Sequence, residues 1–303
     1  MTIDIAGFDA VLPDAEDIRT AAGAFKDTVG SINTTATVTG LSTVFPHHPE
    51  GAFVSLGWGG RLESPAELAP RYEAMFALIQ QLAGDSFRLY GGRPTPEAEV
   101  GEVPMNGAPL IEWIASYGRE PGAERVPWST TSASLRADPE ATGHRTASIS
   151  VAAGAPTRTA NTVLLRLAPD FPIGTAQESV ELLLALVRIW QPDIAVLLTS
   201  DAVASMSPST HAAYASWTST LARGEEPTGR GETAVRYGDG TVRIAEEWSV
   251  EALTALNGEL VAAGAPRLSK GRALQLPPTL PHDVPEHLVD ICRHIRVPNP
   301  RGR

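Results

Sequence analysis

The stretch VSLGWGGRLESPAELAPRYEAMFALIQQL, residues 54–82, joins a strand pattern to a long helix through a glycine-rich turn. Ser64 is a favourable N-cap, Pro65 suits the first helical position, and Glu67 follows three residues after the cap. This spacing predicts a capping box. The apolar positions that follow predict one buried helix face: Leu68, Tyr72, Met75, Phe76, Ile79 and Leu82.

The glycine-rich turn raises the question of a nucleotide site, because backbone N–H groups before a helix can hold a phosphate. Gly57, Gly59 and Gly60 do not form G-x-G-x-x-G, and no G-x-x-x-x-G-K-[ST] follows them. The only lysines of the chain, Lys26 and Lys270, do not follow a glycine run of that form. The pattern therefore favours a structural turn and predicts no cofactor.

Composition places the chain among soluble globular proteins, with 303 residues, 43% hydrophobic and 19% charged. No apolar run approaches the roughly 20 residues of a membrane-spanning helix. The N-terminal MTIDIAGFDAVLPDAED lacks the basic start and apolar core of a secretory signal. Cys292 is the only cysteine, so an internal disulfide is excluded. These features predict a cytoplasmic protein without a membrane partner.

The formal net charge is −11, from 35 acidic and 24 basic residues. This balance argues against nucleic-acid binding through a basic face. It favours a basic partner if the acidic residues cluster on one surface. The alternative is an evenly solvated acidic surface.

Two segments, about residues 35–91 and 144–200, share the order strand–strand–helix–strand. The first contains TATVTGLSTVF, GAFVSLGW, the helix from residue 65 to residue 83, and SFRLYGG. The second contains HRTASISVAAG, NTVLLRLAPD, the helix AQESVELLLALVRIW and the strand IAVLLTS. Thr175 and Glu178 repeat the capping device in the second helix. The pseudo-repeats predict an α+β fold with two related sheet layers, covered by helices.

A third block covers residues 207–264. Its pattern predicts a helix around residues 208–223, a hairpin TAVRYGDGTVRIAEE turning at Gly238-Asp239-Gly240, and a helix from Val250 to Ala263. We expect one domain over residues 1–274, followed by a peripheral C-terminal extension over residues 275–303.

A search for catalytic patterns finds no G-x-S-x-G elbow and no H-E-x-x-H helix. Asp193 opens a strand without the Glu-x-Lys of a restriction-type nuclease, which favours an exposed, solvated charge. The C-terminal cluster lacks the close pairs usual for zinc: His282, His287, Cys292 and His294. The sequence therefore predicts a protein that is not an enzyme, with no metal site.

Three short motifs remain unexplained by these patterns. Trp-x-x-Arg-x-Glu-Ser precedes the first long helix, as Trp58, Arg61, Glu63 and Ser64. Trp-x-Pro-Asp follows the second, as Trp190, Pro192 and Asp193. The third motif is a small residue followed by Trp-x-x-Thr-Leu, as Ser216, Trp217, Thr220 and Leu221. Its Thr220 stands where the related pattern Trp-x-x-Tyr-Leu has tyrosine.

Together with the Gly-Asp-Gly hairpin and the final helix, these motifs resemble the immunity protein 52 family of bacterial polymorphic-toxin systems over about residues 35–264. The resemblance implies a cytoplasmic, non-enzymatic inhibitor that binds a cognate protein toxin, often one with a restriction-endonuclease-type domain. It leaves the oligomeric state open. Two alternatives come from other classes. One is a structural or assembly protein of a phage or secretion apparatus, and the other is a hydrolase or nuclease using Asp193, Glu246 or the C-terminal histidines.

The motif tryptophans lie at corners between elements, which favours plugging of a junction over a role in binding. We expect Arg61 and Glu63 to bond to each other or to loop carbonyls and so fix the turn. The acidic residues near the hairpin are the first candidates for toxin contact: Glu225, Glu226, Asp239, Glu246 and Glu247.

Overall fold

The computed structural model describes residues 51–59, 61, 63–83, 88–91, 101–116, 130–136, 147–154, 161–168, 171 and 175–268. The predicted strand TATVTGLSTVF, the C-terminal extension and its histidine and cysteine residues lie outside these ranges. The domain boundary at residue 274 therefore stays a prediction.

The described residues contain strands and helices in alternating groups. The strands are β1 (Ala52–Trp58), β2 (Arg88–Gly91), β3 (Gly101–Glu102), β4 (Thr130–Arg136), β5 (Ala147–Ala152), β6 (Asn161–Leu167), β7 (Ile194–Thr199), β8 (Ala215–Ser219), β9 (Glu232–Tyr237) and β10 (Gly240–Ala245). The helices are α1 (Pro65–Ala83), α2 (Gly107–Ser116), α3 (Ala176–Trp190), α4 (Ser200–Ser205), α5 (Thr220–Arg223) and α6 (Val250–Ala262). The predicted α+β class is confirmed.

The strands join in one ten-stranded sheet of order β3-β2-β4-β5-β6-β1-β7-β8-β10-β9. All neighbours are antiparallel. Strand β1 lies between β6 and β7, with Val54 opposite Leu165 on one side and Leu197 on the other. The expectation of two sheet layers is therefore wrong. A strand has two hydrogen-bonding edges, and β1 uses both to pair with strands of the other pseudo-repeat.

The order of elements in the second pseudo-repeat is as predicted, with β5 and β6 followed by α3 and β7. In the first pseudo-repeat, the described part gives β1, α1 and β2 in the expected order. Helices α1 and α3 pack against each other. All six positions of β7 are buried, so the sheet is covered on both faces there.

The helix predicted around residues 208–223 is wrong. Most of this segment is a loop and strand β8, and only α5 is helical. Strand β8 pairs with β7 and β10 and is buried at all five positions. Its residues, ASWTS, do alternate between apolar and polar side chains, but the run is only five residues long and its polar positions are buried as well.

The predicted hairpin is confirmed. Strands β9 and β10 are joined through Gly238 and Asp239, and Tyr237 pairs with Gly240. Gly238 adopts φ +66°, which suits glycine at the first position of a two-residue turn. The final helix begins after Ser249, whose Oγ accepts a hydrogen bond from the backbone N–H of Ala252 at 3.1 Å.

Both predicted capping boxes are present. The Ser64 N–H donates to Glu67 Oε2 at 2.6 Å, and the Glu67 N–H donates to Ser64 Oγ at 3.3 Å. Thr175 and Glu178 form the same reciprocal pair at the start of α3. Both long helices thus begin with local hydrogen bonds from backbone N–H groups to side chains, and these N–H groups have no acceptor within the helix.

Loss of the first cap should lower stability measurably. We expect Ser64→Ala to reduce the free energy of unfolding by about 0.5–2 kcal/mol, because the Glu67 amide loses its acceptor. Urea denaturation followed by circular dichroism measures this loss. Ser64→Thr keeps the hydroxyl and serves as the control. Equal losses in the two variants would mean that the cap contributes nothing.

Candidate functional site

The first two motifs, far apart in the sequence, meet in one corner of the structure. The ring of Trp58, at the end of β1, stacks on that of Trp190, at the end of α3, with centroids 5.7 Å apart and an interplanar angle of 29°. Tyr72 of α1 meets Trp190 edge-on at 5.4 Å. We call this arrangement the motif corner; it comprises Trp58, Arg61, Glu63, Trp190 and Asp193.

Arg61 ties the turn after β1 to the end of α3. Its Nη2 donates to the carbonyl of Trp190 at 2.8 Å, and its Nη1 donates to that of Gln191 at 3.3 Å. Its Nε donates to Glu63 Oε2 at 3.0 Å, and its guanidinium lies 4.9 Å from the Trp58 ring centroid. Both kinds of bond expected for Arg61 therefore occur. The cation also stands at the negative end of the α3 dipole.

Glu63 lies between two guanidinium groups. Its Oε1 is 3.1 Å from Nε of Arg71, a residue of α1 that is 1% exposed. Arg71 Nη1 donates to the Ile189 carbonyl at 2.6 Å. Burial, with the nearby charge of Arg61, lowers the pKa of Arg71 to about 9 against the opposing effect of Glu63. Sequence reasoning missed Arg71, whose only signal is a charge beside the apolar face of α1.

Asp193 joins the same corner from the start of β7. Its Oδ2 accepts a hydrogen bond from the Gly59 N–H at 2.9 Å, and its own N–H donates to the Gly57 carbonyl at 2.9 Å. The expectation of an exposed charge is wrong, because the side chain is 1% exposed beneath the glycine turn. The Gly59 amide therefore binds an internal carboxylate, which supports the structural interpretation of the turn.

Burial raises the pKa of Asp193 to about 6, although the Gly59 hydrogen bond and the charges of Arg61 and Arg223 oppose this change. A carboxyl group with a raised pKa binds more protons in the folded state than in the unfolded state at pH 4–6. Its contribution to stability is therefore greatest in acid and is lost as the pH rises through about 6.

We expect Asp193→Asn to remove this pH dependence. Between pH 7 and pH 4 the wild type should gain about 2–3 kcal/mol relative to the Asn variant. Urea denaturation at several pH values provides the measurement. The exposed Glu112→Gln substitution is the control and should leave the wild-type profile unchanged. Parallel profiles for the wild type and Asp193→Asn would contradict the assignment.

The third motif lies elsewhere, on β8. Trp217 is fully buried and its Nε1 donates to the Tyr237 carbonyl at 3.3 Å. A Cβ at Gly240 would lie 2.4 Å from the Trp217 ring, so this glycine makes room for the indole. Leu221, from the same motif, is 67% exposed. The motif therefore contributes one buried ring and one surface residue.

The motif residues are mostly internal. Those that are buried are Trp58, Glu63, Trp190, Pro192, Asp193 and Trp217. Arg61 and Ser64 are half-buried. Trp58 and Trp190 end β1 and α3, as the junction-plugging interpretation predicts, whereas Trp217 lies in the middle of β8, so the corner predicted for that residue is wrong.

The acidic candidates do not share one environment. Glu225, Glu246 and Glu247 are exposed. Glu226 is half-buried and forms an ion pair with Arg223. Asp239 is half-buried in the hairpin turn, where its carbonyl accepts a hydrogen bond from the Thr220 N–H at 2.9 Å. Only the first three are exposed residues, and among them Glu247 Oε1 accepts a hydrogen bond from Ser249 Oγ at 3.0 Å.

Within the described residues, no group of three or more His, Cys, Asp or Glu side chains is arranged to hold a metal ion. The C-terminal histidines and Cys292 lie outside those residues. No described helix has both the length and the hydropathy needed to cross a membrane.

Comparison with known proteins gives little similarity. No family model matches the chain, and no curated protein matches it. Among solved structures, the chain is similar to the Pseudomonas aeruginosa T6SS protein PA0821, at 10% sequence identity and a TM-score of 0.40. The match covers 65% of this chain and 68% of that one. The immunity-protein resemblance therefore rests on the motifs themselves.

Proposed function

We propose that this chain is an immunity protein that neutralises a cognate secreted bacterial toxin by stoichiometric binding and occlusion of the toxin's active site. The observation that carries the proposal is the junction of two motifs. Residues Arg61 and Trp190, 129 positions apart, are joined by a hydrogen bond of 2.8 Å. Two of the three motifs that carry the family resemblance thus form one packed unit, which supports the interpretation that they belong together.

The chemistry of the motif corner supports a binding protein over an enzyme. Arg61 bonds to helix carbonyls, and both carboxylate oxygens of Glu63 face guanidinium groups. Asp193, the acid considered for a hydrolase, is 1% exposed and accepts the Gly59 amide. A general base must reach its substrate, and this carboxylate faces the protein interior. The motif corner therefore stabilises the fold, and we expect the contacts with the partner on the exposed surface of the protein.

Charge indicates the chemistry of the partner. The net charge is −11, and a toxin that holds a phosphate backbone presents a basic cleft. An acidic protein can compete for that cleft and accelerate association. A nuclease is therefore one toxin that this protein would fit. Effective inhibition needs nanomolar affinity, about −12 kcal/mol, which an interface of standard size can supply.

Co-expression tests the proposal. We expect cells that produce the toxin domain encoded beside this gene to grow when the chain is produced as well, and inhibition of the purified toxin to saturate at one chain per toxin. Cells that die as fast with the chain as without it would show that the immunity function is wrong. Protection at far lower ratios of chain to toxin would favour an enzyme that destroys the toxin or its product.

A further inference from the structure

The segment 224–231, between α5 and β9, has no helix or strand, and yet several of its backbone groups are hydrogen-bonded to buried side chains. We call it the anchored loop. Several of its residues are exposed to solvent: Gly224, Glu225, Pro227, Thr228, Arg230 and Gly231. The contacts that hold it come from side chains on the surrounding elements.

Arg243 of β10 is the first anchor. It is 7% exposed, and its guanidinium donates to the carbonyls of Glu226 and Pro227 at 2.6 Å and 2.8 Å. Its Nη1 also lies 3.3 Å from Glu232 Oε1. A buried arginine thus holds two consecutive carbonyls of an exposed loop.

Other anchors bind the backbone amides of the loop and the side chain of Glu226. Glu232 Oε1 accepts the Gly229 N–H at 2.8 Å, and Glu259 Oε2 accepts the Arg230 N–H at 2.9 Å. Glu226 forms an ion pair with Arg223. Gly229 packs on α6 so closely that a Cβ there would lie 2.5 Å from Leu256 Cδ1.

Burying the charged side chains of these anchors costs free energy. The side chains of Arg223, Glu226, Arg243 and Glu232 are only 5–9% exposed, and burial of charges is unfavourable unless they are paired and hydrogen-bonded. Here the paired charges stabilise the backbone of an exposed segment. Ordering such a segment before a partner arrives removes entropy that binding would otherwise lose. The arrangement is therefore that of a preorganised recognition loop.

We propose that the anchored loop, with Glu246 and Glu247 beside it, is the face that contacts the partner, and that it binds a basic protein surface. This inference rests on the proposed function. The Glu246 N–H donates to the Gly231 carbonyl at 2.8 Å, which places the end of β10 next to the loop. Glu225, Glu246 and Glu247 give this face an acidic rim, opposed by Arg230 alone among the exposed loop residues, and Pro227 and Thr228 supply its uncharged part.

Binding of the purified, catalytically inactivated toxin domain encoded beside this gene tests the location of the face. Glu246→Lys with Glu247→Lys should slow association and weaken affinity about tenfold or more at low salt, with a smaller effect at high salt. Glu102→Lys with Glu112→Lys makes the same charge change on exposed residues of β3 and α2 and is the matched control. We expect the control to bind within about twofold of the wild type.

The outcomes are separable. If the wild type binds and the Glu246/Glu247 variant binds equally well, the inference is wrong while the proposed function stands. An equal loss in both charge-reversed variants would also overturn the location of the face. If the wild type does not bind the toxin at all, the proposed function fails, and the inference fails with it.

Hydrogen exchange tests preorganisation without any partner. In the free wild type, the amides of Gly229 and Arg230 should exchange at least about tenfold more slowly than in an unstructured peptide, because both are hydrogen-bonded. Glu259→Ala should remove the protection of the Arg230 amide and leave the melting temperature unchanged; Glu251→Ala, on the same helix, is the control. Unprotected amides in the wild type would refute the preorganised loop.

Discussion

Replacing Trp190 by alanine should lower the free energy of unfolding by about 3–5 kcal/mol. Trp190 is fully buried, stacks on Trp58 and meets Tyr72 edge-on. Truncation removes the ring at the point where β1, α1 and α3 meet, and it leaves a cavity that rigid elements cannot fill. Trp58→Ala should fall in the same range, because Trp58 is 2% exposed and is the stacking partner.

Urea denaturation followed by circular dichroism measures this loss. Trp113→Ala is the matched control, because Trp113 is half-buried and also meets Tyr72 edge-on, at 6.3 Å. We expect a smaller loss for the control, since a half-buried ring leaves less of a cavity. Equal losses for Trp190→Ala and Trp113→Ala would contradict the central role of the motif corner.

Glu63→Gln is the second substitution with a large expected effect, about 3–5 kcal/mol. It removes the negative charge between Arg61 and Arg71, and Arg71 is 1% exposed. An uncompensated buried guanidinium is costly, whereas replacing both members of a buried pair by apolar residues is often close to neutral. We therefore expect Glu63→Leu combined with Arg71→Met to recover part of the stability lost in Glu63→Gln.

The exposed pair Arg88–Glu102 provides the comparison for Glu63. Arg88 Nε lies 3.7 Å from Glu102 Oε1, and the two side chains are 46% and 59% exposed. Glu102→Gln should cost no more than about 1 kcal/mol in chemical denaturation. If Glu63→Gln costs as little as Glu102→Gln, the buried pair does not stabilise the corner. If the double variant is less stable than Glu63→Gln, the explanation through an unpaired buried charge is wrong.

Sequence alone was sufficient where the determining contacts are local. The capping boxes at Ser64 and Thr175 depend on residues three positions apart, and the hairpin turn depends on the residues between β9 and β10. The bond between Arg61 and Glu63 is likewise local, across two positions. Such contacts form within a few residues, so a pattern of residue types and spacings predicts them.

Tertiary structure decided which distant segments meet. The strand pattern of β1 predicts a strand but does not name β6 and β7 as its partners, because backbone hydrogen bonds are the same for every strand. The burial of Asp193 and Arg71 depends in the same way on segments brought over them from elsewhere in the chain. Strand β8 is fully buried, and its five residues, ASWTS, give too short a pattern to show which strands would cover its polar positions. The amino-acid sequence thus determined the local elements and the motif residues, and the long-range packing determined that the first two motifs meet in one corner while Trp217 lies apart on β8.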